Sequence, residues 1–511
     1  MFFANSIQAV LLAFTTALAG TAWATPEFSF NRDEQPNDGR VVLYVHAGGE
    51  LSDLARMLNA ATDGRLTNAI EVMAFSGEFG ETLVLPALSP FKEVVLIGAG
   101  EGDLHPRHLH DLGGHAAMTV EDDERLSIIV DGLDSSVDDA GAHIAMGYAL
   151  GDYRFTHYKT VQATPADERV TVFGASRTDA NTYSEDLAHV VEGVTLARDL
   201  GSEPGNALWP QQFVDRVQAA FEGVQNVRMT VLDADGIREQ GMGALLGVGL
   251  GSIRDPRLLV VEYRGAGRND PPIALVGKGV TFDTGGISIK PSEDMWYMKS
   301  DLSGAAAVAG SVLASAKRGE DINVVGVLPL AENMPSQDAI RPGDVLMSMS
   351  GKTVEIINTD AEGRLLLLDA VHYAQVRHEP RMLVNIATLT GSAGRATGDE
   401  YAVVITRDLA LSLDMMKIGT TSGEDVWPLP LHDNHFIQIE SSIADIKNTG
   451  GTPGASVGAA VVGTFIAEQL PWVHLDIAGV DWRDEATPTA PVGHAGWGVR
   501  FLDALLRSEA Q

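Results

Sequence analysis

Two short stretches concentrate the side chains that could do chemistry. The first runs from Lys278 through Asp283 to Lys290, interspersed with Gly279, Gly285 and Gly286, and Asp301 follows it. The second is Asn358-Thr-Asp360-Ala-Glu362-Gly-Arg364. Asp283, Asp301, Asp360 and Glu362 are four carboxylates, and gathered in one place they repel each other unless cations stand between them. Taken singly, each acid has a plainer reading: Asp301 as a helix cap, Asp360 and Glu362 as solvated loop acids. Taken together, with Lys278, Lys290 and Arg364 among them, they point to a pair of divalent metal ions. Oxygen-rich ligation without Cys or His suits Zn, Mn, Mg or Co. The chain holds only nine lysines, and three of them, Lys278, Lys290 and Lys299, share this window; Lys299 reads equally well as a surface residue.

The elements around these stretches say how they could meet. The apolar run Ile273 to Gly277 predicts a strand that delivers Lys278, with Gly279 opening a loop that carries Asp283 to Lys290. A helix over Leu302 to Arg318 follows Asp301. Val354 to Ile357 reads as a second strand, ahead of a helix over Leu365 to Val376. In extended chain Asp360 and Glu362, two apart, point the same way. Leu258 to Tyr263, Val324 to Pro329, Leu383 to Thr388 and Val473 to Ile477 read as further strands. Such alternation predicts a mostly parallel sheet with helices on both faces, whose ligand sites lie at the carboxyl ends of strands. At 511 residues the chain exceeds a single core. The fold class expected is α/β: an N-terminal α/β domain over residues 25–189, joined by a helix at about 190–204 to a catalytic α/β domain over 190–511 with a mixed, mostly parallel sheet.

The N-terminal third says less about chemistry. Val41 to Val45 and Val94 to Ile97 read as buried strands, the second running into a tight Gly98-Ala-Gly100-Glu-Gly102 turn. Leu104 to His115 carries His105, His108, His110 and His115 and reads as a solvated loop, because metal-site spacing is absent. Ile7 to Leu18 is apolar and precedes Ala22-Trp23-Ala24, which predicts a signal peptide over residues 1–24. The expected address is therefore exported, periplasmic or secreted, with a cytoplasmic one as the alternative. No other stretch is apolar and long enough to span a bilayer, so no stable membrane association is expected. The formal net charge of −33 repels phosphate backbones and argues against nucleic acid as a partner. There is no cysteine, which excludes disulfides, thiolate metal sites and thiol nucleophiles.

Val276-Gly-Lys-Gly-Val-Thr-Phe-Asp-Thr-Gly-Gly-Ile-Ser-Ile-Lys-Pro-Ser and Asn358-Thr-Asp-Ala-Glu-Gly-Arg-Leu resemble the two hallmark segments of the leucyl aminopeptidase family, over about residues 190 to 505. The resemblance implies two divalent metal ions per subunit, Mn or Zn, and release of N-terminal, leucine-like residues from peptides by a metal-activated water. It implies that Asp283 and Glu362 bridge the ions, that Lys278 and Asp301 complete one site and Asp360 the other. A lysine ligates only as the neutral amine, so Lys278 is expected to have its pKa depressed by the metal. Lys290 would polarise the scissile carbonyl, and Arg364 would hold a bicarbonate ion. Met298, Thr388, Leu389 and Gly391 would surround the substrate, with Met298 and Thr388 near its first side chain. The resemblance also implies a homohexamer. Two other functions stay open: an architectural DNA-binding relative of the same family, or another two-metal hydrolase.

Overall fold

The computed structural model describes residues 25–48, 50–120, 125–160 and 169–510. The predicted signal segment lies outside the described residues. The chain divides into two compact units, one reaching to Leu187 and taking back Thr487–Pro491, the other holding Ala188–Ala486 and Val492–Gln511.

The N-terminal unit is built on a six-stranded sheet: β1 (Glu27–Asn31), β2 (Arg40–His46), β3 (Thr82–Pro86), β4 (Glu93–Gly100), β5 (Arg125–Ile129) and β6 (Arg169–Phe173), in the order β1-β6-β5-β2-β4-β3. All neighbours are parallel except β3 and β4. Val41 to Val45 and Val94 to Ile97 form its buried centre, as continuous apolar runs do in sheets covered on both faces.

The histidine-rich stretch corrects the expectation of a loop. It is a helix, α1 (Pro106–Thr119), entered through His105 as N-cap with Pro106 in the first turn. Proline is well placed there because its missing N–H would have had no helical partner. The glycines are contact points rather than breakers. A Cβ on Gly113 would stand 2.1 Å from the Ile144 carbonyl oxygen, and one on Gly147 2.0 Å from that of His110. They let α1 lie against α2 (Ala140–Asp152) at a distance no side chain allows. His110 is buried and its Nε2 pairs with Nδ1 of His143 at 2.9 Å.

The second unit carries the larger sheet. Its strands are β7 (Val227–Leu232), β8 (Arg257–Arg264), β9 (Ile273–Gly277), β10 (Gly279–Asp283), β11 (Asn323–Asn333), β12 (Val345–Met347), β13 (Thr353–Glu355), β14 (Met382–Ala387), β15 (Ala402–Thr406), β16 (Val426–Pro428), β17 (Ile446–Lys447) and β18 (Trp472–Asp476). The order is β16-β15-β18-β14-β9-β11-β8-β7, with β10 also paired to β11. The four central strands β18, β14, β9 and β11 are mutually parallel, while β15, β8 and β7 are paired antiparallel to their inner neighbours.

Helices α3 (Ala188–Ser202), α4 (Ser303–Arg318) and α5 (Glu362–His378) frame that centre. Gly277 faces α4, where a Cβ would meet the Gly304 carbonyl oxygen at 2.4 Å. Its neighbours Ala274 and Val276 share a core with Leu365 to Leu368 of α5. Successive residues of a strand face opposite sides, so α4 and α5 cover opposite faces of the sheet. Helix α3 packs on α4 where Gly193 meets Gly310.

Three expectations are corrected here. Asp283 does not lie in a loop opened by Gly279, because the chain resumes as β10 beside the end of β11 and leaves Lys278 alone between two strands. The strand read at Val354 to Ile357 is β13 and belongs to a separate three-stranded sheet with β12 and β17. Asp360 and Glu362 are not in extended chain: Asp360 closes a turn and Glu362 opens α5, three residues ahead of the expected start. Four successive leucines bury α5 on all sides, so it lacks the one-sided pattern by which a helix start is read.

Candidate active site

Every sequence-predicted site residue reaches one cavity of about 890 Å³ in the second unit, lined by Lys278, Asp283, Lys290, Met298, Asp301, Asp360, Glu362, Arg364, Thr388, Leu389 and Gly391 among others. It opens at the carboxyl ends of the central parallel strands. Lys278 follows β9, Asp283 ends β10 and Thr388 follows β14. Asp301 arrives between a 3-10 turn over Met295–Ser300 and α4. Glu362 stands at the N-terminus of α5, where the helix's unbonded N–H groups favour a negative charge.

Two lysines thread the acids. Lys278 Nζ lies 2.6 Å from Asp301 Oδ1 and 2.9 Å from Glu362 Oε1, and donates to the Thr388 carbonyl at 2.8 Å. Lys290 Nζ lies 2.7 Å from Asp283 Oδ2 and 2.6 Å from Asp360 Oδ1. Burial disfavours the charge on both lysines, but the surrounding carboxylates outweigh it and hold both above the usual lysine range. Burial likewise pushes Asp283 and Asp301 up; Glu362 is buried too, yet the two lysines hold it below its ordinary value.

The lysines do not use up the acids. Ligand atoms of Asp283, Asp301 and Glu362 lie within 4.8 Å of one another. Asp301 Oδ2 and Glu362 Oε2 are buried without any hydrogen-bond partner. Carboxylate oxygens in that state are costly, and a divalent ion is what such a hard-oxygen set accepts. The residues present therefore fit divalent metal.

Several supporting groups escaped the sequence reading. Asn333, at the end of β11, donates to Asp283 Oδ1 at 2.7 Å and to the Thr359 carbonyl at 3.1 Å, tying the two stretches together. Asp476, at the end of β18, accepts from the N–H groups of Leu389 and Thr390 and from the Thr390 hydroxyl at 2.6 Å. Arg364 is buried, donates to the Asn448 carbonyl at 2.8 Å and leaves its Nε unpartnered. His474 is fully buried against Asn385 at 2.6 Å. Burial pushes it down to about 3, so it packs as a neutral core side chain. Only strand-end position could have flagged Asn333 and Asp476, and many polar residues share it.

Paired acids and lysines at the carboxyl edge of a mixed sheet define a metal-dependent hydrolase with a two-unit α/β fold. Comparison with known proteins narrows this. Residues 195–503 match the model of the cytosol aminopeptidase family's catalytic domain, and residues 41–162 that of its N-terminal domain. A probable cytosol aminopeptidase of Brucella suis is 38% identical over 493 residues, covering 95% of this chain and 99% of its own. One from Caulobacter vibrioides is 40% identical over 475 residues, 91% of this chain and 95% of its own. Among solved structures, a bottromycin maturation enzyme in complex with Mn is similar at a TM-score of 0.81 with 30% identity, covering 92% of this chain and 99% of its own. A mutant tomato leucine aminopeptidase reaches 0.85 with 26% identity, covering 96% of this chain and 98% of its own.

The chain belongs to the cytosol aminopeptidase family. It is a metal-dependent aminopeptidase, a metallo-exopeptidase that acts on peptides. The alternative of an architectural DNA-binding protein receives no support from these relatives. The expectation of export is corrected: relatives that span nearly the whole chain are named cytosol aminopeptidases, which points to the cytoplasm. Near its start the chain has an apolar run of the kind that reads as a leader, but hydrophobicity alone does not distinguish one from other N-terminal segments.

Proposed function

We propose that the cavity holds two divalent ions, Mn or Zn, and releases leucine-like residues from the N-termini of small peptides. The observation that carries this reading is the buried trio Asp283, Asp301 and Glu362 with two carboxylate oxygens left bare. Lys278, Asp283, Asp301, Asp360 and Glu362 would hold the ions. When bound, the pair supplies Lewis acidity to the substrate carbonyl and to a nucleophilic water.

The chain's own residues do the rest. Lys278 would give up its proton to ligate, so its Nζ moves from pairing with acids to sharing their cation. Lys290, the more exposed of the two lysines, would keep its proton and present it to the carbonyl oxygen as negative charge develops there. Arg364, which makes no carboxylate ion pair among the described residues, has donors to spare for an anion such as bicarbonate, and arginine geometry suits a planar, two-oxygen guest. Met298, Thr388, Leu389 and Gly391 would line the substrate, Met298 giving an apolar wall to the first side chain.

We further take the catalytic domain to begin at about residue 190 and the assembly to be a homohexamer, for which light scattering should return six chain masses; a monomer mass would remove it. The catalytic reading is tested by stripping the protein with a chelator and assaying leucyl amide hydrolysis. Activity should vanish and return with Mn or Zn; full activity in the stripped, metal-free protein would overturn the reading.

A further inference from the structure

One acid in the cavity wall is not part of the metal-binding set. Asp481 is buried and lines the same cavity as Met298, Thr388 and Gly391. Its backbone N–H bonds to the Ile477 carbonyl and its carbonyl to the Ala495 N–H, so what it offers the cavity is its side chain. Among the described residues it forms no ion pair. The cation that acts on it is Lys278, and weakly, since that ammonium is already committed to Asp301 and Glu362.

The groups behind Asp481 hold it in place without neutralising it. His494 Nδ1 accepts from the Gly496 N–H at 3.2 Å, which puts the ring proton on Nε2, and Nε2 donates to the Ser303 hydroxyl at 2.8 Å. Ser303 in turn donates to Asp481 Oδ2 at 3.1 Å, a proton it shares with the Ser300 carbonyl. Burial pushes His494 down to about 3, so it stays neutral and brings no charge. A Ser–His–Asp trio of this polarity is no nucleophile, since the histidine gives its proton to the serine instead of taking one. Its effect is to orient a carboxylate for which none of the described residues provides a counter-ion. Burial pushes Asp481 up to about 6, so above that pH it carries a charge that is expensive to leave uncompensated, and a cation is what such a site accepts.

We propose that Asp481 is a specificity-determining residue that receives the cationic head of an N-terminal lysyl or arginyl side chain, so that basic first residues outrun leucine. This rests on the aminopeptidase reading and refines its side-chain preference. Lysine and arginine carry apolar stems that can lie along Met298 as leucine would, with the charge carried further to Asp481. A site built to bond a polar group rejects the analogue that lacks it far more strongly than an apolar pocket rejects a missing methylene.

The test compares lysyl, arginyl, norleucyl, leucyl and glutamyl amides on the Mn-loaded protein at mildly alkaline pH. Norleucine is the decisive control, because it keeps the lysine stem and removes its charge. Lysyl and arginyl amides should exceed norleucyl and leucyl amides at least ten-fold in kcat/KM, with glutamyl amide poorest. In Asp481→Asn the lysyl-to-norleucyl ratio should fall at least ten-fold. Equal or better use of norleucyl amide by the unaltered protein, or an unchanged ratio in a folded Asp481→Asn protein, would overturn the assignment. Should that variant not fold, the series on the unaltered protein decides alone. Turnover of leucyl amide without a lysyl preference sinks only the role of Asp481, whereas no turnover of any amide sinks the aminopeptidase reading beneath it.

Discussion

The two lysines of the site stand in nearly mirrored positions, each between two carboxylates, yet the protein holds them differently. Lys278 sits between two strands of the central sheet with 4% of its side chain exposed, and its partners Asp301 and Glu362 are buried too. Lys290 comes from the loop after β10, is 20% exposed, and one of its partners, Asp360, is 32% exposed. The Lys278 side is part of the core, whereas the Lys290 side borders solvent. A group that must shed a proton and ligate benefits from rigid placement, and one that must meet a changing substrate oxygen benefits from access. The contrast matches the division of labour proposed for them.

The largest effect that could break this comparison comes from Glu362. Glu362→Ala should lower kcat/KM by at least a thousand-fold, an order-of-magnitude expectation for a lost electrostatic or metal-holding group. It should also cost about 3–5 kcal/mol of stability by leaving buried Lys278 with only one of its two carboxylate partners, measured by urea denaturation. Activity within ten-fold of the parent would remove Glu362 from the centre.

Next in size is the split between the lysines. Lys278→Met should destabilise by about 3–5 kcal/mol, as breaking a buried pair does. Lys290→Met should cost about 1–2 kcal/mol because water reaches Lys290 and Asp360, while kcat falls by about a hundred-fold or more with the oxyanion contact gone. Equal losses of stability in the two variants would erase the distinction between core and rim.

Smaller again is the contribution of the supporting groups. Asn333→Ala removes the bond that joins Asp283 to the Thr359 carbonyl and should cost about 1–3 kcal/mol. Its KM for metal should rise, read by titrating Mn into stripped protein. A normal Mn titration would reduce Asn333 to a packing role.

A last effect is a slope in pH. His474 and His494 are pushed by burial from near 6.5 to about 3. As pH falls below about 6.5 the unfolded chain binds protons that the folded one refuses, so the stability they contribute is present above that pH and is lost towards pH 3. Each histidine should add about 1.4 kcal/mol per pH unit to that slope. Denaturation midpoints from pH 7 to 4 should give a shallower slope in His474→Asn than in the parent, and parallel slopes would show that His474 takes up protons while folded.

Legibility in the sequence followed chain distance. Asp360, Glu362 and Arg364 lie within five residues, and Lys278, Asp283 and Lys290 within thirteen, so their types and spacing could be read as a set. Asn333 and Asp476, which bond residues of the cavity, and Asp481, which lines it, come from strands and turns far along the chain, where each looks like any other polar residue. The strands of the central sheet were legible because continuous apolar runs mark buried parallel strands. Helix α1 was not, because its glycines serve a helix contact; α5 was read as a helix, but with its start three residues late, because burial on all sides leaves no periodic face.

By itself, the sequence determined the chemical inventory: which acids, which lysines, no thiol, and an order that places them at strand-to-helix transitions. Only the tertiary structure decided how charge is shared among them. It gave Lys278 to Asp301 and Glu362, gave Lys290 to Asp283 and Asp360, and left Asp481 without an ion pair among the described residues. The reason is that type and local spacing are properties of the chain, whereas burial and the distance between charges depend on which distant strands the sheet brings together.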